Sequence, residues 1–78
     1  MTAWITLQTQ AANLLEDERE RQGLSIAAWE LKIGVHPNVY DYFRACKRPV
    51  GLAVLCRMFD GAGLDVGLIL RPERMAAE

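Results

Sequence analysis

Apolar residues recur at helical spacing from about Thr6 to Gln22, where Leu7, Ala11, Leu14 and Leu15 share one face. The second half of that stretch, Glu16-Asp17-Glu18-Arg19-Glu20-Arg21, forms a solvated mixed-charge surface, and Gly23 supplies the stop. Trp4 and Ile5 precede this helix, placed to fold back onto the core or meet a partner chain. Ser25 is a good N-cap for a second helix, Ile26 to Ile33, in which Trp29 and Ile33 lie four apart on one face. Gly34-Val35-His36 separates it from a third helix, which Pro37 opens because proline's missing N–H is no loss in a first turn. There Tyr40 and Phe43 face one side, while Asn38, Asp41 and Tyr42 face others. Pro49 cannot continue that helix, so Lys47-Arg48-Pro49 reads as a basic loop. A fourth helix, about Val50 to Gly61, presents Leu52, Leu55, Cys56 and Phe59.

The pattern then changes period. Leu64, Val66, Leu68 and Leu70 alternate before Pro72 ends the run, which predicts a short C-terminal β-strand, with a fifth short helix as the alternative. A lone apolar strand needs a cover, and a two-fold dimer with antiparallel strand pairing provides one.

The expectation is thus an all-α domain of four to five helices plus a short C-terminal strand. One domain spans residues 1–78, with its core over about 6–62 and the strand and tail over 63–78. At 78 residues the core is small, since such a domain buries only about 60% of its unfolded surface. A hydrophobic fraction of 51% excludes a disordered tail. The net charge of −1 is low for a DNA-binding module, so the distribution of charge matters more than its sum. From Arg44 to Phe59 the chain carries Arg44, Lys47, Arg48 and Arg57 and no acid, whereas the acids gather in Glu16 to Glu20. Cys46 and Cys56 do not amount to a disulfide framework, and with His36 as the one histidine no metal site or cofactor is expected. There is no basic flank of a signal peptide and no apolar run near the roughly 20 residues of a membrane span, so the expected location is cytoplasmic. An enzyme is not expected either, for want of a nucleophile beside a base, a phosphate-cradling loop or paired carboxylates.

The stretch Gly23-Leu24-Ser25-Ile26-Ala27-Ala28-Trp29-Glu30-Leu31-Lys32-Ile33-Gly34-Val35-His36 resembles the Cro/repressor (XRE) helix-turn-helix family, and the resemblance covers about Leu14 to Leu70. The apolar positions of that motif are filled by Trp29, Ile33, Val35, Tyr40 and Phe43, with Gly34 at the turn. Three positions depart from the family pattern. Glu30 stands where a small residue is usual, Ile26 where a phosphate-binding Gln is frequent, and Arg44 where an acid often pairs with the residue aligned to Arg19. Glu16 or Glu20 is available to take Arg44 instead. The segment Gly63 to Pro72 is similar to the closing strand of HipB-like antitoxin repressors, which pairs across a dimer.

The resemblance implies a lambda-repressor-like DNA-binding fold whose third helix enters the major groove. Carried over by position, His36, Asn38, Val39 and Tyr42 would meet bases, Asn38 best because its amide matches adenine N6 and N7. Ser25, Arg44, Lys47 and Arg48 would meet phosphates. Leu64, Val66, Leu68 and Leu70 would form the homodimer contact. The implied function is a dimeric transcriptional regulator, repressor or antitoxin in type, on a palindromic double-stranded operator. The alternative is a protein-binding module on the same fold, such as a toxin-neutralising antitoxin or a phage inhibitor of a host defence complex. Its contact surface would be the acidic face of the first helix, or Trp4 and Ile5.

Overall fold

Twenty residues, Ala3–Gln22, form the first helix, α1, in a computed structural model that describes residues 3–70. No Gly or Pro interrupts this stretch, so the helix begins before Thr6 and takes Trp4 and Ile5 into its first turn. Its inward stripe runs through Gln8, Ala11, Ala12 and Leu15, with Leu14 only partly buried.

Local chemistry sets the next two helices, α2 (Ile26–Ile33) and α3 (Pro37–Arg44). Ser25 Oγ accepts from Ala28 N at 3.1 Å and caps α2. Gly34, at φ 73°, closes α2 by donating its N–H to Glu30 O. His36 Nδ1 accepts from Asn38 N at 3.1 Å to cap α3, with Pro37 in the first turn. Beyond Arg44 the chain leaves the helix through Cys46, a non-glycine residue at φ 53°, a conformation costing roughly 1–2 kcal/mol.

Helix α4 (Leu52–Ala62) begins after Gly51 and ends at Gly63. Its inward face is Leu55, Met58, Phe59 and Ala62, the i, i+3, i+4, i+7 stripe of an amphipathic helix. The expected face, Leu52 with Leu55, Cys56 and Phe59, is therefore rotated. Leu52 is 62% exposed and Met58 is fully buried. Helix α4 packs on α2 and α1, α3 packs on α1 and α2, and the core lies between them. The α2–α4 approach is closest at Gly61, where an added Cβ would stand 2.6 Å from Ile33 Cα and 3.0 Å from Lys32 O.

The expected strand over Leu64 to Leu70 is not what forms. The chain turns at Asp65 and Val66 and continues as a short helix, α5 (Gly67–Leu70). Asp65 Oδ1 accepts from Gly67 N at 2.8 Å, and Leu68 N and Ile69 N return to Asp65 O and Val66 O. Ile69, outside the alternating set, is the buried residue, because α5 packs on α1. Leu64 and Val66 are half-buried beside the core and Leu68 is exposed, so strand pairing loses its basis. The side chain of Leu70 and residues 71–78 lie outside the described residues.

A buried polar chain ties three helices together. Trp29 Nε1 donates to Tyr40 Oη at 2.9 Å, and Tyr40 Oη donates to Glu16 Oε2 at 2.5 Å. Glu16 Oε1 accepts from Arg19 Nε at 3.1 Å, and Arg19 reaches on to Leu24 O at 2.7 Å. Arg44 adds its charge 3.8 Å from Glu16. Burial raises the Glu16 pKa, but the bonds from Arg19 and Tyr40 and the charges of Arg19 and Arg44 outweigh it and leave it below 4.5. Burial, followed by the nearby Glu16 carboxylate, raises the Tyr40 phenol, so it stays protonated and donates.

Three variants test these contacts through stability. Gly61→Ala drives a methyl into backbone, which cannot rotate away, and lowers stability by about 1–3 kcal/mol in denaturant unfolding. Tyr40→Phe strands the Trp29 N–H and costs about 1–3 kcal/mol at pH 7. Because the folded Glu16 pKa is depressed, its contribution is present above the unfolded value of 4.5 and fades as pH falls through the lower folded value. Glu16→Gln should flatten that part of a pH–stability curve.

Candidate nucleic-acid interface

Helix α3 has Tyr40 and Phe43 against the core, their rings stacked at 5.9 Å. At about 100° per residue, Asn38 then lies opposite the core, with Val39 and Tyr42 on one flank and Asp41 and Arg44 on the other. Exposure agrees: Asn38 and Asp41 are exposed, and Val39 and Tyr42 are half-buried. Two polar anchors, Tyr40 to Glu16 and Phe43 O to Gln8, hold this helix against α1.

His36 is exposed, but its Nδ1 is engaged as the α3 cap. That bond assigns the ring proton to Nε2, the atom left for an outside partner. Ser25 is exposed at the start of α2, its oxygen accepting within the cap. Arg44 turns from the expected phosphate set toward α1. It stands over the Tyr40 ring at 5.4 Å, 3.8 Å from Glu16 and 3.7 Å from Asp41, so its charge is largely compensated. The residue thus makes the ion pair open to it at Glu16, through a carboxylate on a different helix.

Lys47 and Arg48 are exposed in the loop between α3 and α4. The Arg48 guanidinium lies over the Tyr42 ring, 4.2 Å from its centroid. The loop backbone is held from behind by Gln8, which sequence reasoning missed. Gln8 Nε2 donates to Phe43 O and Arg48 O, each at 3.1 Å, and Gln8 Oε1 accepts from Val50 N at 3.1 Å. A polar residue on the Trp4–Ala11–Leu15 stripe was the available signal, since a buried amide needs partners. Trp4 and Leu7 line a cleft of about 60 Å³ with Gln8, Pro49, Val50 and Leu55.

The acidic run on α1 is partly paired within the helix. Glu18 pairs with Arg21 and takes a bond from Gln22, Glu16 pairs with Arg19, and Lys32 reaches Gln22. The bonds from Arg21 and Gln22 hold the Glu18 carboxyl well below its usual range. Glu30 is 7% exposed, yet among the described residues no buried side-chain oxygen lacks a partner, so its carboxylate is not stranded. No cluster of metal-ligating side chains and no helix long and apolar enough to cross a membrane occurs among the described residues.

The chain matches no protein-family model, no curated protein and no solved structure, so the interface is argued from its own residues.

His36→Ala should cost about 1 kcal/mol through loss of the α3 cap. His36→Ser should restore most of it in the same urea-unfolding measurement. Equal stability of the alanine variant and the wild type would show that the cap carries no weight.

Proposed function

We propose that this chain binds double-stranded DNA as a transcriptional regulator, with α2, the three-residue connection and α3 acting as a helix-turn-helix. The observation that carries the reading is the surface of α3. Asn38 stands opposite the core, Tyr42 flanks it, and Lys47 and Arg48 follow in a loop fastened beside it. Asn38 supplies the amide that matches adenine, with His36 Nε2, Val39 and Tyr42 around it. Lys47 and Ser25 supply phosphate contacts with Arg48 as a further cation beside them, and Arg44 contributes less because Glu16 and Asp41 already pair with it. This reading agrees with the Cro/repressor resemblance of Gly23 to His36 and with the caps at Ser25, Gly34 and His36.

Two copies would read the two halves of a palindromic operator. Without a strand, the C-terminal contact becomes one of apolar side chains, led by Leu68 at 56% exposure with Leu64 and Val66 beside it. Repressor and antitoxin-type regulator are both served by this arrangement, acting in the cytoplasm.

A second reading, a protein-binding module on the same fold, draws on Leu31, which is 85% exposed on α2, and Leu52 at the start of α4. Exposed leucines are of no use to phosphate contact and suit a protein partner such as a toxin or a defence complex.

Selection of bound duplexes from a random pool separates the two readings. The DNA reading expects a palindromic product and binding that weakens steeply with salt. Lys47→Ala should weaken binding to all sequences alike and lower the salt slope by about 1. Asn38→Ala should cost about 1–3 kcal/mol of discrimination at one base pair. Absence of binding at about 10⁻⁴ M in low salt removes the DNA reading and leaves the protein-binding one.

A further inference from the structure

Arg48 is held at both ends. Its carbonyl accepts from Gln8 Nε2 at 3.1 Å and the next-but-one amide, Val50 N, donates to Gln8 Oε1 at 3.1 Å, so the loop cannot swing without breaking a partly buried pair of bonds. Gln8 is 5% exposed and is itself fixed by its third bond, to Phe43 O. At the other end the guanidinium rests over the Tyr42 ring at 4.2 Å. A cation lying over an aromatic face keeps the donors at its planar edge available. Among the described residues the carboxylates take Arg19, Arg21 and Arg44 and leave Arg48 unpaired.

Fixing lowers the ordering cost of any contact, but a phosphate, with oxygens facing several directions, tolerates many approach geometries. Reading a base edge does not. A fork that donates to both O6 and N7 of guanine must be placed and oriented before binding, or its ordering entropy opposes the contact. Tyr42 lies on the flank of α3 next to Asn38, so the stacked guanidinium sits at the edge of the reading surface. It supplies the arginine that α3 itself does not present there.

We propose that Arg48 is a specificity-determining residue that reads a guanine in the major groove, with Gln8 and Tyr42 as its positioning residues. The assignment rests on the DNA-binding reading above.

The test compares sequences selected from a random duplex pool by the full-length wild type, Arg48→Lys, Tyr42→Leu and Gln8→Leu. Arg48→Lys keeps the charge and removes the planar fork. It should lose one guanine preference per half-site, with discrimination at that base pair falling about 10- to 100-fold and the salt slope unchanged. Tyr42→Leu and Gln8→Leu should weaken the same guanine preference while the adenine preference set by Asn38 persists. In the unbound protein, the ring-current shift of the Arg48 side-chain resonances should disappear in Tyr42→Leu and shrink in Gln8→Leu. A selected sequence unchanged by Arg48→Lys overturns the proposal alone and returns Arg48 to phosphate contact. A uniform loss of affinity in Gln8→Leu, with the guanine retained, overturns the positioning role. A wild type that selects no sequence overturns the DNA-binding reading and this one with it.

Discussion

The hydroxyl of Tyr40 is the point on which the arrangement of helices depends. It accepts from Trp29 on α2 and donates to Glu16 on α1 while belonging to α3, so one oxygen records the relative placement of three elements. A buried chain of this kind is stable only when every member is satisfied, and Arg19 and Arg44 complete it on the carboxylate side. Glu16 and Arg44 keep contact with water, and ion pairs of that kind add little net stability. What this one contributes is discrimination. Any rotation of α3 that turned Asn38 inward would strand the Trp29 N–H and remove the Tyr40 bond from Glu16.

Gln8 does for the far end of α3 what Tyr40 does for its middle. Its amide satisfies Phe43 O, Arg48 O and Val50 N, three backbone groups that leave the helix ladder where α3 gives way to the loop. Both anchors end on α1, at Gln8 and Glu16, so the longest helix serves as the rail on which the candidate reading surface is mounted. The strained Cys46 backbone lies between Phe43 and Arg48, whose carbonyls Gln8 binds, at the point where the chain must turn sharply out of α3.

Charge is redistributed by the same contacts. Along the chain Arg44 belongs with Lys47 and Arg48, and the acids of α1 form a separate block. In space Arg44 joins those acids, Arg19 and Arg21 neutralise others, and Lys47, Arg48 and Arg57 remain as exposed cations of that basic stretch. The candidate interface is smaller than the sequence suggests and better fixed. Glu30 on α2 is 7% exposed, while the tight α2–α4 contact is taken up by Gly61.

What the sequence by itself determined was local. Ser25, Gly34 and Pro37 mark helix ends through their own dihedrals and nearest amides, and α2 falls where those signals put it. The core partners Trp29, Ile33, Tyr40 and Phe43 were legible from helical period alone. Tertiary structure decided whatever depends on groups distant along the chain. Gln8 meets partners 35 to 42 residues away, and Tyr40 meets Glu16 across 24, distances over which no periodicity speaks. The C-terminal segment shows the same limit. Its alternating leucines suit a strand, but burying Ile69 against α1 and bonding Gly67 to Asp65 favour a helical turn, since the period of a short apolar run does not say which surface will cover it.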